Sequence, residues 1–478
     1  MLSELPPVVS VDAARIREAI ARDPRVVVVL DDDPTGTQTV ANVPVLTTWS
    51  VDDVRWAMRQ ASPVFYVLTN SRSLDPDSAE RRIHEVMASV CDAARLEDLE
   101  FVVTSRSDST LRGHFPLEPD AIAECLTQFT GSVCDAMIIV PAYVEAGRMT
   151  IESVHYLRTS DGIAPVGESE FARDATFAYH SSDLRDYVQE KSKGRWIAAE
   201  VARITLVDLR EGGIHRVKTI LEGLTEGRPV VVDAVCDDDL RLLTLAILDA
   251  ENGGKRFIYR VGPSFVRARA GLDVKLPLTS AEIRQIRGPH KGGSPGTATS
   301  SHGLIVVGSH VSTSTRQLEG VMKMNDVTSV EVDVLALLGE DSREATIDAV
   351  VRSTVDGLAT SDVVVGTSRE LARGRDADES LAIARTISAG LAEIVRRVVS
   401  LVTPGWVVGK GGITSSDVAT SGLGVRRAWA RGTLLPGIIS LWQPVTNSGP
   451  TIPYVVFAGN VGDEGALVTV VQTLRGSV

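Results

Sequence analysis

Three consecutive aspartates, Asp31, Asp32 and Asp33, close an apolar run and are followed at once by Pro34, Thr35 and Gly36. Carboxylates this close repel one another, which raises the pKa of at least one and suits the group to proton transfer or to holding a metal. Other polar stretches also follow apolar runs: Asn70, Ser71 and Arg72; SRSDSTLRGHF, with Arg106, Asp108, Ser109 and Arg112; and PAYVEAGR, with Tyr143 and Arg148. Guanidinium forks hold carboxylates, and aspartates accept hydrogen bonds from hydroxyls, so this set fits a small polyhydroxy acid. An acidic turn in water and a structural ion-pair network are the plainer readings of each loop alone, and they weaken as several loops agree.

A different chemistry is written later in the chain. GWVVGKGGITSSDVA, from Gly405 to Ala419, reads as a strand, the pair Gly411 and Gly412, and then Thr414, Ser415 and Ser416 leading into a helix. Glycines let the backbone approach a phosphate closely, while hydroxyls and helix N–H groups face its oxygens. It is not a P-loop, because Lys410 precedes the glycine pair where G-x-x-x-x-G-K-[ST] requires the reverse. Ser309 follows the strand GLIVVG, and Gly459, Asn460 and Gly462 follow YVVFA. Three Gly-bearing strand-to-helix turns together predict a site for a nucleotide polyphosphate.

The elements that position these residues follow from hydrophobic periodicity. Val26–Leu30, rich in β-branched residues, predicts a strand buried on both faces. Val11–Arg22 predicts a helix before it, and strands are expected at 43–48, 63–70, 101–104 and 136–140, with helices at 76–95 and 117–129. In the long helix, Ile83, Val86, Met87 and Val90 share one face. Alternating strands and helices predict an α/β fold with mostly parallel sheets, whose ligands bind beyond the carboxyl ends of the strands. The stretch 162–194 reads as loop-rich, with no clear element in GESEFARDATFAYHSSDL, and strands are expected at 203–208, 229–235 and 256–261.

The chain has 478 residues, too many for one ordinary core. RGPHKGGSPGTATSSHG, Arg287 to Gly303, has linker composition. The expected division is therefore a domain over 1–290, a linker over 291–302 and a second domain over 303–478. Further strands at 329–335 and 361–368 and a helix at 379–400 belong to the latter. A net charge of -13 argues against nucleic acid as a partner. No apolar stretch is long enough to span a bilayer, and the N-terminus lacks a signal-peptide pattern, so the expected location is cytoplasmic, without a membrane. Cys91, Cys125, Cys134 and Cys236 have no metal-site or disulfide spacing.

DDDPTGTQTV, SRSDSTLRGHFPLE, GKGGITSSDVA and VVFAGNVGDEGAL, in this order, resemble the motifs of the four-carbon acid sugar kinase family, over nearly the whole chain. The resemblance implies an N-terminal sugar-acid domain, a C-terminal ATP domain, an active-site cleft between them, and phosphorylation of an acid such as threonate, erythronate or 3-oxo-tetronate. ATP is the implied co-substrate and Mg2+ the implied ion, without an assigned set of metal ligands. Asp33 or Asp32 would take the proton of the attacking hydroxyl. Thr35, Gly36, Arg72, Arg106, Asp108, Ser109 and Arg112 would bind the acid, with Arg112 and Arg106 on its carboxylate. Ser309, Lys410, Gly411, Gly412, Thr414, Ser415, Gly459, Asn460 and Gly462 would seat the nucleotide. Many members follow D-D-x-T-G with Ala and an Asn-Asp pair, where this chain has Thr37, Gln38 and Thr39, so the acid itself stays open, as does assembly into a homodimer.

Two other readings compete. LDDDPTGT also fits the D-x-D-x-T signature of haloacid-dehalogenase phosphatases, with Asp31 as nucleophile, Asp33 as acid/base and Gly462–Glu464 as the late acidic motif. The paired glycine turns and the D-S-T-L-R-G loop have no use in such an enzyme. A non-catalytic sugar-acid sensor would have no need of the acid cluster.

Overall fold

The valine run forms strand β1 (Val26–Asp31), and the strands that follow in the first part of the chain are β2 (Val43–Leu46), β3 (Val64–Leu68), β4 (Phe101–Arg106), β5 (Ala136–Val140), β6 (Arg148–Ile151), β7 (Val154–Thr159), β8 (Gly162–Pro165), β9 (Ala202–Ile204), β10 (Arg228–Val232) and β11 (Phe257–Val261). The structure is a computed structural model describing residues 4–159, 162–287, 298–308, 312–368, 377–446, 451–459 and 461–476. The chain divides into two compact units, Met1–Val274 and Lys275–Val478.

In the first unit the main sheet runs β2-β3-β1-β4-β11-β5-β10-β9, every pair parallel. After β1 the chain builds outward through β2 and β3, then returns to lay β4 on the other side of β1. The direction of winding reverses there, and it is beyond the carboxyl ends of the strands at such a reversal that open α/β sheets bind ligands. The register puts Asp31 level with Leu68 on one side and Arg106 on the other, so the loops after β1, β3 and β4 leave the sheet together.

Helix Pro76–Glu97 covers one face of this sheet. Asp75 caps it by accepting from Ser78 N, Pro76 supplies a preset first-turn φ, and Asp98 ends it in the left-handed region at φ 52°. Its Ile83, Val86, Met87 and Val90 are buried against Val28, Leu30, Phe65 and Val67, as the periodicity predicts. Burying each such side chain contributes about 1.5–3 kcal/mol at most. Farther along the same face, Met137, Ile139 and Val231 pack against Tyr179, Leu184 and Tyr187.

Two local expectations need correction. The strand expected over 203–208 stops at Ile204, because Thr205 and Asp208 form a reciprocal capping box that starts helix Leu206–Arg210. The stretch 162–194 is more ordered than its composition implies: it contributes β8 to the antiparallel sheet β6-β7-β8 and holds helix Leu184–Lys191.

The second unit contains β12 (Ala298–Thr299), β13 (Leu304–Val307), β14 (Val327–Val332), β15 (Asp362–Thr367), β16 (Val402–Thr403), β17 (Val407–Lys410), β18 (Arg427–Leu435), β19 (Ile439–Pro444) and β20 (Tyr454–Phe457). Its main sheet runs β14-β15-β13-β17-β20-β19-β18, parallel as far as β20 and antiparallel beyond it. The strand expected at 329–335 ends at Val332, since Asp333 caps helix Val334–Leu338 through Ala336 N. Most of the expected linker lies outside the described residues, and the division into units falls ahead of it. Helix Ser280–Arg287 belongs to the second unit because Ile283 is buried in a core with Ile305, Val408, Val455 and Val470. Among the described residues, no helix is long and apolar enough to cross a membrane.

Candidate functional site

At the end of β1 the backbone leaves the sheet under tight control. Thr69 N and Thr69 Oγ1 both donate to Asp31 O at 2.9 Å, Arg72 N donates to Asp32 O at 3.3 Å, and Asp32 N donates to Arg106 O at 3.3 Å. Asp33 then caps the 3-10 turn Pro34–Thr39, accepting from Thr35 N at 2.8 Å. A Cβ on Gly36 would lie 2.1 Å from Asp31 Oδ2, so only glycine lets the turn fold over that carboxyl group.

Two arginines meet the acids. Arg106 Nη1 donates to Asp31 Oδ1 at 2.7 Å and to Asp32 Oδ1 at 3.4 Å. Arg72 grips Asp32 as a fork, Nη2 to Oδ1 at 2.6 Å and Nε to Oδ2 at 3.1 Å, and reaches Asp33 Oδ2 at 3.3 Å. Three carboxyls against two guanidiniums leave one negative charge in surplus, and Asp31 absorbs it. Burial, only partly offset by Arg106 and reinforced by its two acidic neighbours, pushes Asp31 up to about 7. Burial also raises Asp32. For Asp33, burial acts upward, but Arg72 and Arg106 prevail and hold the carboxyl below its usual range. Asp33 is also the most accessible of the three: its side chain is 16% exposed, against 2% for that of Asp32.

The loop after β4 is braced from within. Arg112 Nε donates to Asp108 Oδ2 at 2.6 Å and Thr110 Oγ1 donates to the same oxygen. Burial alone would raise Asp108, yet Arg112 and Arg72 hold its pKa far below the ordinary carboxylate range. Arg112 also reaches Asp174 Oδ2 at 3.5 Å and lies over the ring of Phe171. Ser109 is buried, and its carbonyl accepts from Nε2 of His155 at 2.8 Å, leaving Nδ1 to accept from the Thr150 hydroxyl at 2.9 Å. Burial pulls the pKa of His155 down to about 4, so the ring is neutral near pH 7. Asp31, Asp32, Asp33, Thr35, Gly36, Arg72 and Arg106 thus come together in one cluster, and Asp108 with Arg112 lies within electrostatic reach of Arg72.

In the second unit the glycine turns are tied by backbone. Gly411 has φ 118°, a conformation that disfavours other residues, and its N–H donates to Phe457 O at 2.9 Å as helix Gly412–Asp417 begins. Thr414 and Ser415 are buried: a Cβ on Gly308 would lie 2.2 Å from Thr414 Oγ1, and Ser415 Oγ donates to Gly412 O at 3.1 Å. The turn after β20 is held by helix Ser312–Met322, with Ser314 Oγ donating to Gly459 O at 3.0 Å and Gln317 Nε2 to Val461 O at 3.1 Å and Asp463 O at 2.7 Å. Gly462 lies in that turn at φ 78°. Lys410 is turned inward and fully buried, its Nζ 3.8 Å from the centre of the Phe457 ring and 3.3 Å from Ala458 O. Burial brings its pKa down to about 7. Ser309 and Asn460 lie outside the described residues.

Residues 27–269 match the model of a sugar-binding N-terminal domain, and residues 304–467 match that of a nucleotide-binding C-terminal domain. The chain belongs to the four-carbon acid sugar kinase family. The acid cluster lies within the family's sugar-binding domain and the glycine turns within its nucleotide-binding domain. Two solved structures share the fold: a Salmonella typhimurium LT2 protein, 15% identical with a TM-score of 0.65 over 93% of this chain and 98% of its own, and a Haemophilus influenzae protein, 16% identical with a TM-score of 0.60 over 94% and 100%. No curated protein matches the chain.

Sequence reasoning missed the pair that joins the loops of the sugar-binding domain. Glu118, buried in the first turn of helix Leu117–Thr130, accepts from Ser71 Oγ and from Arg260 Nη1, and Arg260 also donates to Ser105 Oγ at 2.9 Å. A signal existed: Arg260 is a charged residue in the otherwise apolar strand β11, and such a residue survives burial only when paired.

Proposed function

We propose that the protein is an ATP-dependent kinase that phosphorylates a hydroxyl of a four-carbon sugar acid, of threonate, erythronate or 3-oxo-tetronate type. The observation that carries this reading is the geometry of the acid cluster, in which arginines hold the buried Asp31 and Asp32 while Asp33 stays the more accessible, in a chain whose two domains belong to a sugar-acid kinase family. Asp33 is ionised, accessible and fixed by the Thr35 N–H, which suits it to accept the proton of the attacking hydroxyl. Asp32 is tied by the fork of Arg72, so it acts on the base by keeping that guanidinium in place. Hydrogen bonds from the acid's hydroxyls and the charge of its carboxylate orient it at the strand edge, because positioning supplies most of the acceleration in phosphoryl transfer.

Mg2+ normally reaches such a reaction held by phosphate oxygens, water and one or two carboxylates. Among the described residues no group of three or more His, Cys, Asp or Glu side chains is arranged to hold a metal. The phosphatase reading fares worse on the same geometry. Asp31 is 2% exposed, bonded to Arg106 and covered by the Gly36 backbone, which is poor placement for a nucleophile that must reach phosphorus.

A panel of four-carbon sugar acids, assayed for ADP release from ATP, tests the proposal. One acid should support turnover and yield a phosphorylated acid. Phosphate release from a sugar phosphate without nucleotide, in place of that activity, would overturn it.

A further inference from the structure

Five arginines around the acid cluster each have a carboxylate partner: Arg72 with Asp32, Arg106 with Asp31, Arg112 with Asp108, Arg260 with Glu118 and Arg267 with Glu145. Arg148 has none. Its Nε is enclosed without a hydrogen-bond acceptor, and among the described residues no carboxylate pairs with it. Its guanidinium lies 5.7 Å from the centre of the Tyr143 ring, and burial pulls its pKa below the ordinary arginine value. Arg148 is half-buried, and a guanidinium whose enclosed Nε has given up its hydration without an acceptor in return is costly.

The position of Arg148 is rigid. It begins β6, and its backbone exchanges hydrogen bonds with Tyr143, N to O at 2.9 Å and O from N at 3.0 Å. Tyr143 follows β5, on the same strand-end side as the acid cluster. Its hydroxyl donates to Gln38 Oε1 at 2.8 Å, which leaves Gln38 Nε2 buried and also without an acceptor. Tyr143 therefore connects two side-chain nitrogens that each lack an acceptor, Arg148 Nε and Gln38 Nε2, one charged and one neutral. Arg148 is also within electrostatic reach of Asp108 and Arg112, which places it beside the loop that follows β4. Arg112 and Arg106, the residues from which a carboxylate fork is expected on sequence grounds, are both committed to internal aspartates.

We propose that Arg148, assisted by the side-chain amide of Gln38, receives the carboxylate of the sugar acid. The inference rests on the kinase reading and names the residue that separates acids from neutral polyols. A carboxylate supplies the counter-charge and the acceptors that both donors lack. The ion pair forms only when substrate is bound, so acid is selected over a polyol bearing the same hydroxyls.

The test compares wild type with Arg148→Met and Gln38→Leu, with threonate, erythronate, erythritol and inorganic phosphate as probes in calorimetry and ADP release measured in parallel. Arg148→Met should weaken binding of the active acid by about 100-fold while leaving erythritol binding unchanged, since truncating one partner of a buried charge pair is expensive. Gln38→Leu should cost about tenfold. Arg148→Met should unfold at or above the wild-type temperature, because it removes a half-buried guanidinium whose enclosed Nε has no acceptor, whereas an arginine with a purely structural role would lower it. If Arg148→Met keeps the preference for acid over polyol while wild type is an active kinase, the inference falls and the kinase reading stands. If wild type acts on no sugar acid and its Arg148-dependent ligand is inorganic phosphate, both fall.

Discussion

The sugar-binding unit and the nucleotide-binding unit dress their strand ends in opposite ways. In the first, charged side chains do the work: Asp31, Asp32 and Asp33 face Arg72 and Arg106, and Glu118 faces Arg260. In the second, glycine turns and main chain dominate, and the single cation at the end of β17, Lys410, is folded inward. The contrast teaches what each ligand class asks of a fold. A small hydroxy acid offers few groups, each needing a partner at one place, so the protein fixes side chains with ion pairs. A nucleotide's phosphates offer many equivalent oxygens, which main-chain N–H groups at strand-to-helix turns can meet without fixed charges.

The comparison breaks most visibly at the acids. Asp33→Asn should lower kcat by about 1,000-fold, because it removes the proton acceptor, while calorimetry still detects binding of both ATP and the acid. Asp31→Asn should be milder. If Asp31→Asn is the fatal change and a phosphoryl group can be trapped on that residue, the first unit's charges serve a nucleophile and the kinase reading is wrong.

A smaller effect comes from the turn over Asp31. Gly36→Ala forces a methyl group against the Asp31 carboxyl, and overpacking of this kind costs about 1–3 kcal/mol. Thermal unfolding should show a lower midpoint for the sugar-binding unit with nucleotide affinity unchanged. Loss of nucleotide binding in this variant would mean that the two units do not divide the ligands as described.

The smallest effect should appear in the nucleotide-binding unit. Lys410 has a folded pKa near 7, below the ordinary 10.5, so between these values the unfolded chain holds a proton that the folded chain has released. Stability of this unit should therefore rise as pH increases from about 7 toward 10. Lys410→Met should abolish that rise and stabilise the unit at pH 7 on the order of 1 kcal/mol, as replacing a buried charge by an apolar side chain often does. Denaturant unfolding at pH 7 and pH 9 distinguishes this from a lysine that turns outward to the nucleotide, for which the Met variant would lose affinity and gain no stability.

Much of the framework is local and therefore readable along the chain. A β-branched run stopped by acids and Pro34 reads as a buried strand ending in a polar turn, and the apolar face of 76–95 needs a core to pack on. Where short-range capping competes with an apolar pattern, as at Thr205 with Asp208 or at Asp333, the pattern misleads, because a side chain that satisfies free N–H groups starts a helix inside an apparent strand.

What the sequence determines by itself is composition at the strand ends: acids and arginines in the first unit, glycines and hydroxyls in the second, with the family that these motifs identify. Which charge meets which is a tertiary matter. Strand order inserts β11 between β4 and β5, and this brings Arg260 to Glu118 across 142 residues of chain. The same ordering commits Arg106 and Arg112 to internal aspartates and leaves Arg148 without one. Residue type states that a guanidinium is present, but whether it is spent inside the fold or free for a ligand depends on distances of a few ångströms, and only the packed sheet sets those.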